Sequence, residues 1–493
     1  GAAIHHAGDR AFGDFFTLDF GRSPYLLFYL LSHALAFLVD VETATRLVTV
    51  IGVAGLPLAL AAYLHANDRP ALYGALGAGI ALNAWVFWGF VPYALGVTLA
   101  LFSLAALAEA IRAPSWQRLA FFGGLAVATF YAHPQAYVWL VAASVIQAAA
   151  TVPALGFRRT LYGALRAFVA AFPSAVAVWF WLARSGFAAS GEASGRNELA
   201  RLVAAESARF APLEETLRRW LAHSFAVYRD GSGERLAVYF LGVVLLLVVL
   251  RAIETRVPVE EARFGNLPAP PGTAAPELVL ALTVAAYFFA PVAYKLVEPI
   301  SHRFLPVALA LLAVLGPVEL RRRRLAGWLA GLALLALSLE TARVHLAHFE
   351  RTDSEMGELE DALARTKPGG RLLGLVFDRG SEVVGPPIYL HAHAYYQARA
   401  GGLACYSFAE LPKSPVRFRP GAEPPPFPPR FEWTPEAFDA DLHGKSFDYF
   451  LVRTRAGQPA PRLFPPDHPG SPRVLFEGPR WKLYAKAAAT ANR

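Results

Sequence analysis

Long apolar runs separated by short polar breaks dominate the chain between residues 42 and 345. About 20 apolar residues cross the roughly 30 Å of bilayer hydrocarbon as a helix. Runs of that order fall at 42–64, 71–89, 91–111, 134–152, 161–184, 235–251, 277–297, 303–320 and 325–345. The run 118–132 is shorter. It is counted because His133 and Pro134 would otherwise leave a helix end in lipid. The pattern therefore predicts ten spans. Residues 25–39 are apolar as well, but at 1.5 Å per residue they cover only about 22 Å. They are expected to lie against the membrane without crossing it.

After residue 350 the pattern changes, and glycine, proline and charge return. The runs 372–377, 447–452 and 473–486 read as strands, the last as a hairpin, and 387–400 reads as a helix. The proline-rich stretch 412–430 reads as extended chain. Inside the membrane region, residues 198–228 mix charged and apolar positions near helical spacing, divided by Pro212. Two readings stay open for them: amphipathic pieces that roof a cavity on the membrane surface, or a solvated helical hairpin. The predicted fold is mostly α: a polytopic transmembrane helical domain of about ten spans with a small C-terminal extracytoplasmic α/β domain. The domains are 1–41, a first loop and juxtamembrane segment; 42–346, the multi-span region with its outer loop 185–234; and 350–493.

Composition agrees with a membrane protein. Hydrophobic residues make up 55% of the chain and charged residues 17%, against about 25% charged in soluble domains. The net charge of +8 does not point to nucleic acid, because the basic residues sit in short loops between apolar runs. Such loops set orientation. With Arg321–Arg324 in the cytoplasm, Arg158, Arg159, Arg112, Arg118 and loop 252–276 fall inside. Residues 89–90, 133, 185–234, 301–303 and the tail from 350 fall outside, and residues 1–24 share the outer face. The single cysteine, Cys405, excludes an internal disulfide framework. Arginine far outnumbers lysine, as in GC-rich bacterial genomes. The first span of such a protein is expected to precede Gly1, in a segment truncated or processed away.

The candidate chemistry sits in the outer loops. Residues 1–24 hold His5, His6, Asp9, Asp14 and Asp19. A carboxylate there can serve as general base on an acceptor hydroxyl, or bind a divalent cation (Mg or Mn) that clamps a diphosphate. A polar loop can also simply contain carboxylates. His133 stands before a helix-starting proline and is either an interfacial histidine or a cavity residue. The sequence EPISHRF places Glu298, His302 and Arg303 at an outer span end, with Lys295 about a turn deeper. These residues either bind phosphate, which arginine grips with two parallel hydrogen bonds, or snorkel to the headgroups. His391 and His393 are two residues apart, which on a helix puts their rings on different faces. No Walker loop, zinc signature or G-x-S-x-G elbow occurs.

Loop residues with Asp and His are followed by PYLLFYLL and then ETATRLVTVIGVAGLPLALAAYL. Further on come WGFVPYALGVTLALFSLA (88–105), LAFFGGLAVATFYAHPQAYVWLVAAS (119–144) and SHRFLPVALALLAVLGP (301–317). Over residues 1–345 this order resembles the GT-C superfamily of polytopic glycosyltransferases, in its bacterial, polyprenyl-phosphate-sugar-dependent form. The resemblance implies transfer from a lipid-linked sugar donor on the outer face of the bacterial inner membrane, with no soluble nucleotide-sugar and no nucleic acid. It implies a catalytic Asp in the first loop, here Asp9 with Asp14 in reserve. His5, His6, His133, Lys295, His302 and Arg303 are then the substrate-binding candidates, Arg303 and Lys295 holding the lipid phosphate. In such relatives an Asp precedes the loop histidine by a few residues. Here that place falls on Gly1 or Ala2. The carboxylate is therefore Asp9, or one lying before Gly1, or none. In the last case the protein is a non-catalytic scaffold of the same fold. A transporter or flippase would need mid-span charges and internal repeats, and the sequence shows few charges and no repeat.

Overall fold

In a computed structural model of the protein, residues 2–184, 208–256, 273–294, 297–318, 324–407, 409, 414–428, 430–465 and 471–486 are described. Lys295, Arg321 to Arg323, most of the first half of loop 185–234 and residues 257–272 of the basic loop lie outside them. The chain forms two compact units. The first comprises Gly1–Leu47, Arg184–Leu199 and Ala347–Arg493; the second comprises Val48–Ala183 and Ala200–Leu346.

The second unit is a helical membrane domain. Among the described residues six helices are long and apolar enough to cross a bilayer: Val41–Ala66, Val91–Arg112, Pro134–Leu155, Phe157–Arg184, Ser232–Glu254 and Arg324–Leu363. The protein is thus a multi-pass membrane protein. Helix Val91–Arg112 is the central post, with 78% of its apolar window buried; Phe157–Arg184, with 17% buried, is peripheral. The post packs closely on Val41–Ala66 through glycines. A Cβ at Gly55 would stand 2.8 Å from Thr98 Cγ2, and Thr98 Oγ1 donates to Gly52 O at 2.8 Å. Small residues allow such backbone approach where lipid supplies no hydrophobic drive.

The remaining predicted spans are shorter. Residues 118–132 lie in helix Trp116–Ala132. The run 71–89 breaks into a 3₁₀ helix at Ala71–Gly77 and short helices at Ala78–Ala81 and Ala84–Phe87. Gly74 and Gly77 lie against the backbone of Pro57, and Gly89 takes a positive φ of 86° that ends the run. The run 277–297 is helical only over Ala275–Phe289, with Pro291 just beyond. The run 303–320 is helical over Phe304–Leu311 and 3₁₀ over Leu312–Leu315. Apolar length alone does not report whether the backbone hydrogen bonds stay helical.

The first unit combines the N-terminal segment with the tail. Strands β1 (Phe16–Leu18), β2 (Arg371–Val376), β3 (Leu403–Ala404), β4 (Val416–Phe418), β5 (Tyr449–Arg453), β6 (Arg473–Glu477) and β7 (Trp481–Ala485) form two sheets. One has the order β3-β2-β5-β7-β6; the other pairs β1 with β4. β2 runs parallel to β3 and β5, whereas β7 is antiparallel to β5 and β6. Alternate residues feed two cores. Leu372, Val376, Leu451, Trp481 and Leu483 face one; Leu373, Leu375, Phe450 and Val452 face the other. A strand buried on both faces reads as a continuous apolar run, which is why β2 and β5 show in the sequence. Helix 387–400 is realised only over Ala394–Ala400. Residues 25–39 contain a ten-residue helix, Leu26–Leu35, about 15 Å long and too short to cross.

Candidate functional site

At one end of the membrane unit, segments far apart in sequence converge. They are the break 83–93, the helix junction at His133, the turns 219–228 and the stretches 287–294 and 297–303. Arg303 is their hub. Its side chain is buried, 3% exposed, and its guanidinium lies over the Phe90 ring at 3.8 Å. Nη1 donates to Gln135 Oε1 at 3.3 Å and Nη2 to Glu298 O at 3.2 Å. Gln135 in turn donates to Ile300 O at 2.7 Å, and Tyr93 Oη donates to Arg303 O at 3.0 Å. The buried guanidinium is thus held by an amide oxygen, a carbonyl and a ring face.

His302 sits on the other side of the same turn. Its ring stacks on His223, centroids 3.8 Å apart at 18°, and Trp85 lies nearly parallel to it at 6.3 Å. Trp85 Nε1 donates to His302 O at 3.1 Å. Tyr287 gives its one hydroxyl proton to Thr216 O at 3.1 Å. Its oxygen therefore accepts from His223 Nδ1, 3.0 Å away, which fixes the His223 tautomer and leaves Nε2 as an acceptor. Burial, then His302 and Arg219, push the His223 pKa down to about 3. Burial and Arg219 also lower that of His302. The stacked pair is neutral at physiological pH.

His133 caps helix Pro134–Leu155, its Nδ1 accepting from Gln135 N at 3.2 Å, and its ring meets Tyr93 edge-on at 5.1 Å. It thus caps the helix and shares Tyr93 with Arg303, whose guanidinium lies 5.9 Å from that ring. Beside this cluster Leu56, Trp85, Phe90, Tyr93, Val97 and Val307 line an apolar recess. Trp85, Gln135, His223 and Tyr287 were not among the sequence candidates. Gln135 follows the His-Pro junction directly, and Trp85 precedes the break at Gly89, which are the only local signals they offer.

The N-terminal candidates belong to the other unit. Asp9 Oδ2 pairs with His6 Nδ1 at 2.8 Å, and the Asp9 side chain is 65% exposed. Asp14 is exposed at the end of helix Arg10–Gly13. Asp19 pairs with Arg22 at 3.1 Å. His5 Nδ1 lies 3.2 Å from His33 Nδ1; burial and the neighbouring His6 and His33 lower its pKa. Among the described residues no three His, Cys, Asp or Glu side chains are grouped to hold a metal ion. Asp9 and His6 would supply one carboxylate and one imidazole, and a Mg ion takes most of its remaining oxygens from water and substrate phosphate. His391 and His393 have ring centroids 5.8 Å apart at 73°.

No family model matches the chain. No curated protein matches it. Among solved structures it is similar to the cryo-electron-microscopy structure of the mycobacterial arabinofuranosyltransferase AftD, with 14% identity over 99% of this chain and 37% of that one, at a TM-score of 0.43. The chain thus spans little more than a third of that enzyme's length.

Proposed function

We propose that the protein is a GT-C-like membrane glycosyltransferase that takes a sugar from a polyprenyl-phosphate donor on the outer face of a bacterial inner membrane. The observation that carries this reading is the seat of Arg303. A buried guanidinium, gripped by Gln135 and the Glu298 carbonyl and backed by Phe90, stands beside an apolar recess lined by Leu56, Val97 and Val307. That pairing suits a ligand with an anionic head and a hydrocarbon tail. His302 and His133 flank the head, and the apolar recess faces the start of the tail.

In the proposed reaction an acceptor hydroxyl attacks the anomeric carbon from the face opposite the phosphate. The carbon–oxygen bond to phosphate breaks, and the phosphate leaves with the electron pair, its charge held by Arg303. The hydroxyl proton goes to a general base, for which the sequence's candidate is Asp9, hydrogen-bonded to His6 in the other unit. Inversion at the anomeric carbon follows from a single displacement. The exposure of Asp9 and of Asp14 favours a second reading, the non-catalytic scaffold that binds the same lipid without turnover.

Binding of polyprenyl phosphate to the full chain in nanodiscs tests the reading. Arg303→Lys keeps the charge and loses the two-pronged grip. A charged hydrogen bond contributes about 1.5–3 kcal/mol, so binding is expected to weaken roughly ten- to hundredfold. Unchanged affinity would remove the phosphate role of Arg303.

A further inference from the structure

We propose that the tail is the template that positions the N-terminal loop, and that Gly401 is its docking seat. The inference builds on the assignment of Asp9 but does not depend on it. The loop is stitched to the tail at several points. β1 pairs antiparallel with β4, Phe16 opposite Phe418 and Leu18 opposite Val416. Beyond the ladder, Gly402 N donates to Ala11 O at 2.5 Å, Arg419 N to Phe15 O at 2.8 Å and Asp19 N to Pro415 O at 2.8 Å. Phe12 and Phe16 bury their rings with Ala409. Arg399 then grips Glu42 through Nε at 2.5 Å and Nη2 at 3.1 Å, holding the far end of the same N-terminal stretch.

A segment of 24 residues whose own elements are two helices of four residues, a strand of three and a 3₁₀ turn of three has little local order. Helices that short do not persist alone, and a lone strand needs a partner. The shape of the loop therefore comes from the tail. Gly401 is where an added side chain would meet the loop. Its φ is +68°, and a Cβ there would stand 2.6 Å from Ala11 Cβ, 3.1 Å from Ala11 O and 3.2 Å from Phe12 Cε2. Gly402 also has positive φ, but its obstruction is the tail's own Gly370 O at 2.1 Å. Gly401 is thus the position whose side chain would strike the loop, in addition to straining its own backbone at positive φ. Asp9 lies two residues from Ala11, so a displaced seat moves the carboxylate with it.

Amide hydrogen exchange on the full chain in nanodiscs tests this. In Gly401→Ala, exchange in residues 10–19 is expected to rise at least tenfold, while β5 (449–453) keeps its protection. Adding Ala11→Gly removes the struck Cβ and should restore protection to within about threefold of wild type; backbone strain at Gly401 alone would not respond to that change. If β5 also loses protection, Phe16→Ala made from the loop side gives the same test with the tail left intact, and release of residues 10–19 is again expected. Unchanged exchange of residues 10–19 in the folded Gly401→Ala and Phe16→Ala variants would overturn the proposal. Turnover gives a separate arm: kcat should fall with KM held. Release of the loop with unchanged turnover would keep the template role and remove Asp9 from catalysis.

Discussion

At the residue scale the account rests on a few side chains in unusual settings. Arg303 stood out in the sequence as an arginine between apolar runs, with phosphate binding and snorkelling both open to it. Its partners did not stand out: Gln135 lies 168 residues away, and no local pattern announces such a contact. His223 and His302 make a pH signature. An unfolded chain protonates His223 near 6.5, whereas in the fold burial holds it at about 3. Between those values the unfolded state binds the extra proton. Stability therefore falls as pH drops from about 6.5 toward 3 and owes nothing to this group above that window. His223→Gln should flatten the pH dependence of Tm between 6.5 and 4; an unchanged slope would show that other groups carry it. Asp9→Asn is expected to abolish turnover while leaving lipid binding within about twofold. Full retained turnover would hand the base to another carboxylate.

At the element scale, strands were legible where burial was two-sided, as in β2 and β5, and long helices where apolar residues ran past 20. The failures are informative. Residues 71–89 have the composition of a span but fold as a broken 3₁₀ segment, because Gly74, Gly77 and Gly316 admit close neighbours: Gly316 faces the Tyr73 ring, and Tyr73 Oη donates to Pro317 O. That geometry is tertiary and leaves no periodicity. Glycine also sets the joint between helices Val41–Ala66 and Val91–Arg112. Gly55→Val would drive a branched side chain into Thr98. It should cost about 1–3 kcal/mol, the usual range for overpacking, and appear as a lower melting temperature in detergent. A variant as stable as wild type would show that the helices can separate without loss.

At the scale of the whole molecule, the membrane unit has two unlike ends. One carries the Arg303 cluster. The other, at the far end of the central helix of 22 residues, or about 33 Å, carries its own ion pairs, as the Arg303 end does with Arg209–Glu298 at 2.8 Å. Arg112 meets Asp68 and Arg69 meets Glu277, both at 2.6 Å; Arg159 donates to Arg112 O at 3.2 Å. The parity of apolar runs and basic loops assigns these two ends to opposite sides of the membrane, an expectation that labelling can test. It did not anticipate that residues 1–24 would be built into the tail, which depends on a strand pair 400 residues apart. Single cysteines in a Cys405→Ala background should separate the ends: Glu214→Cys should label from outside, and Arg158→Cys only after permeabilisation. The reverse pattern would invert the topology.

The most direct test of the central claim is the binding of polyprenyl phosphate to the full chain in nanodiscs, wild type beside Arg303→Lys, with polyprenol as the uncharged control. The account predicts saturable binding of the phosphate by wild type, a roughly ten- to hundredfold loss in the variant, and weak binding of polyprenol by both. Equal affinity of wild type for phosphate and alcohol, or equal phosphate affinity in wild type and variant, would contradict it.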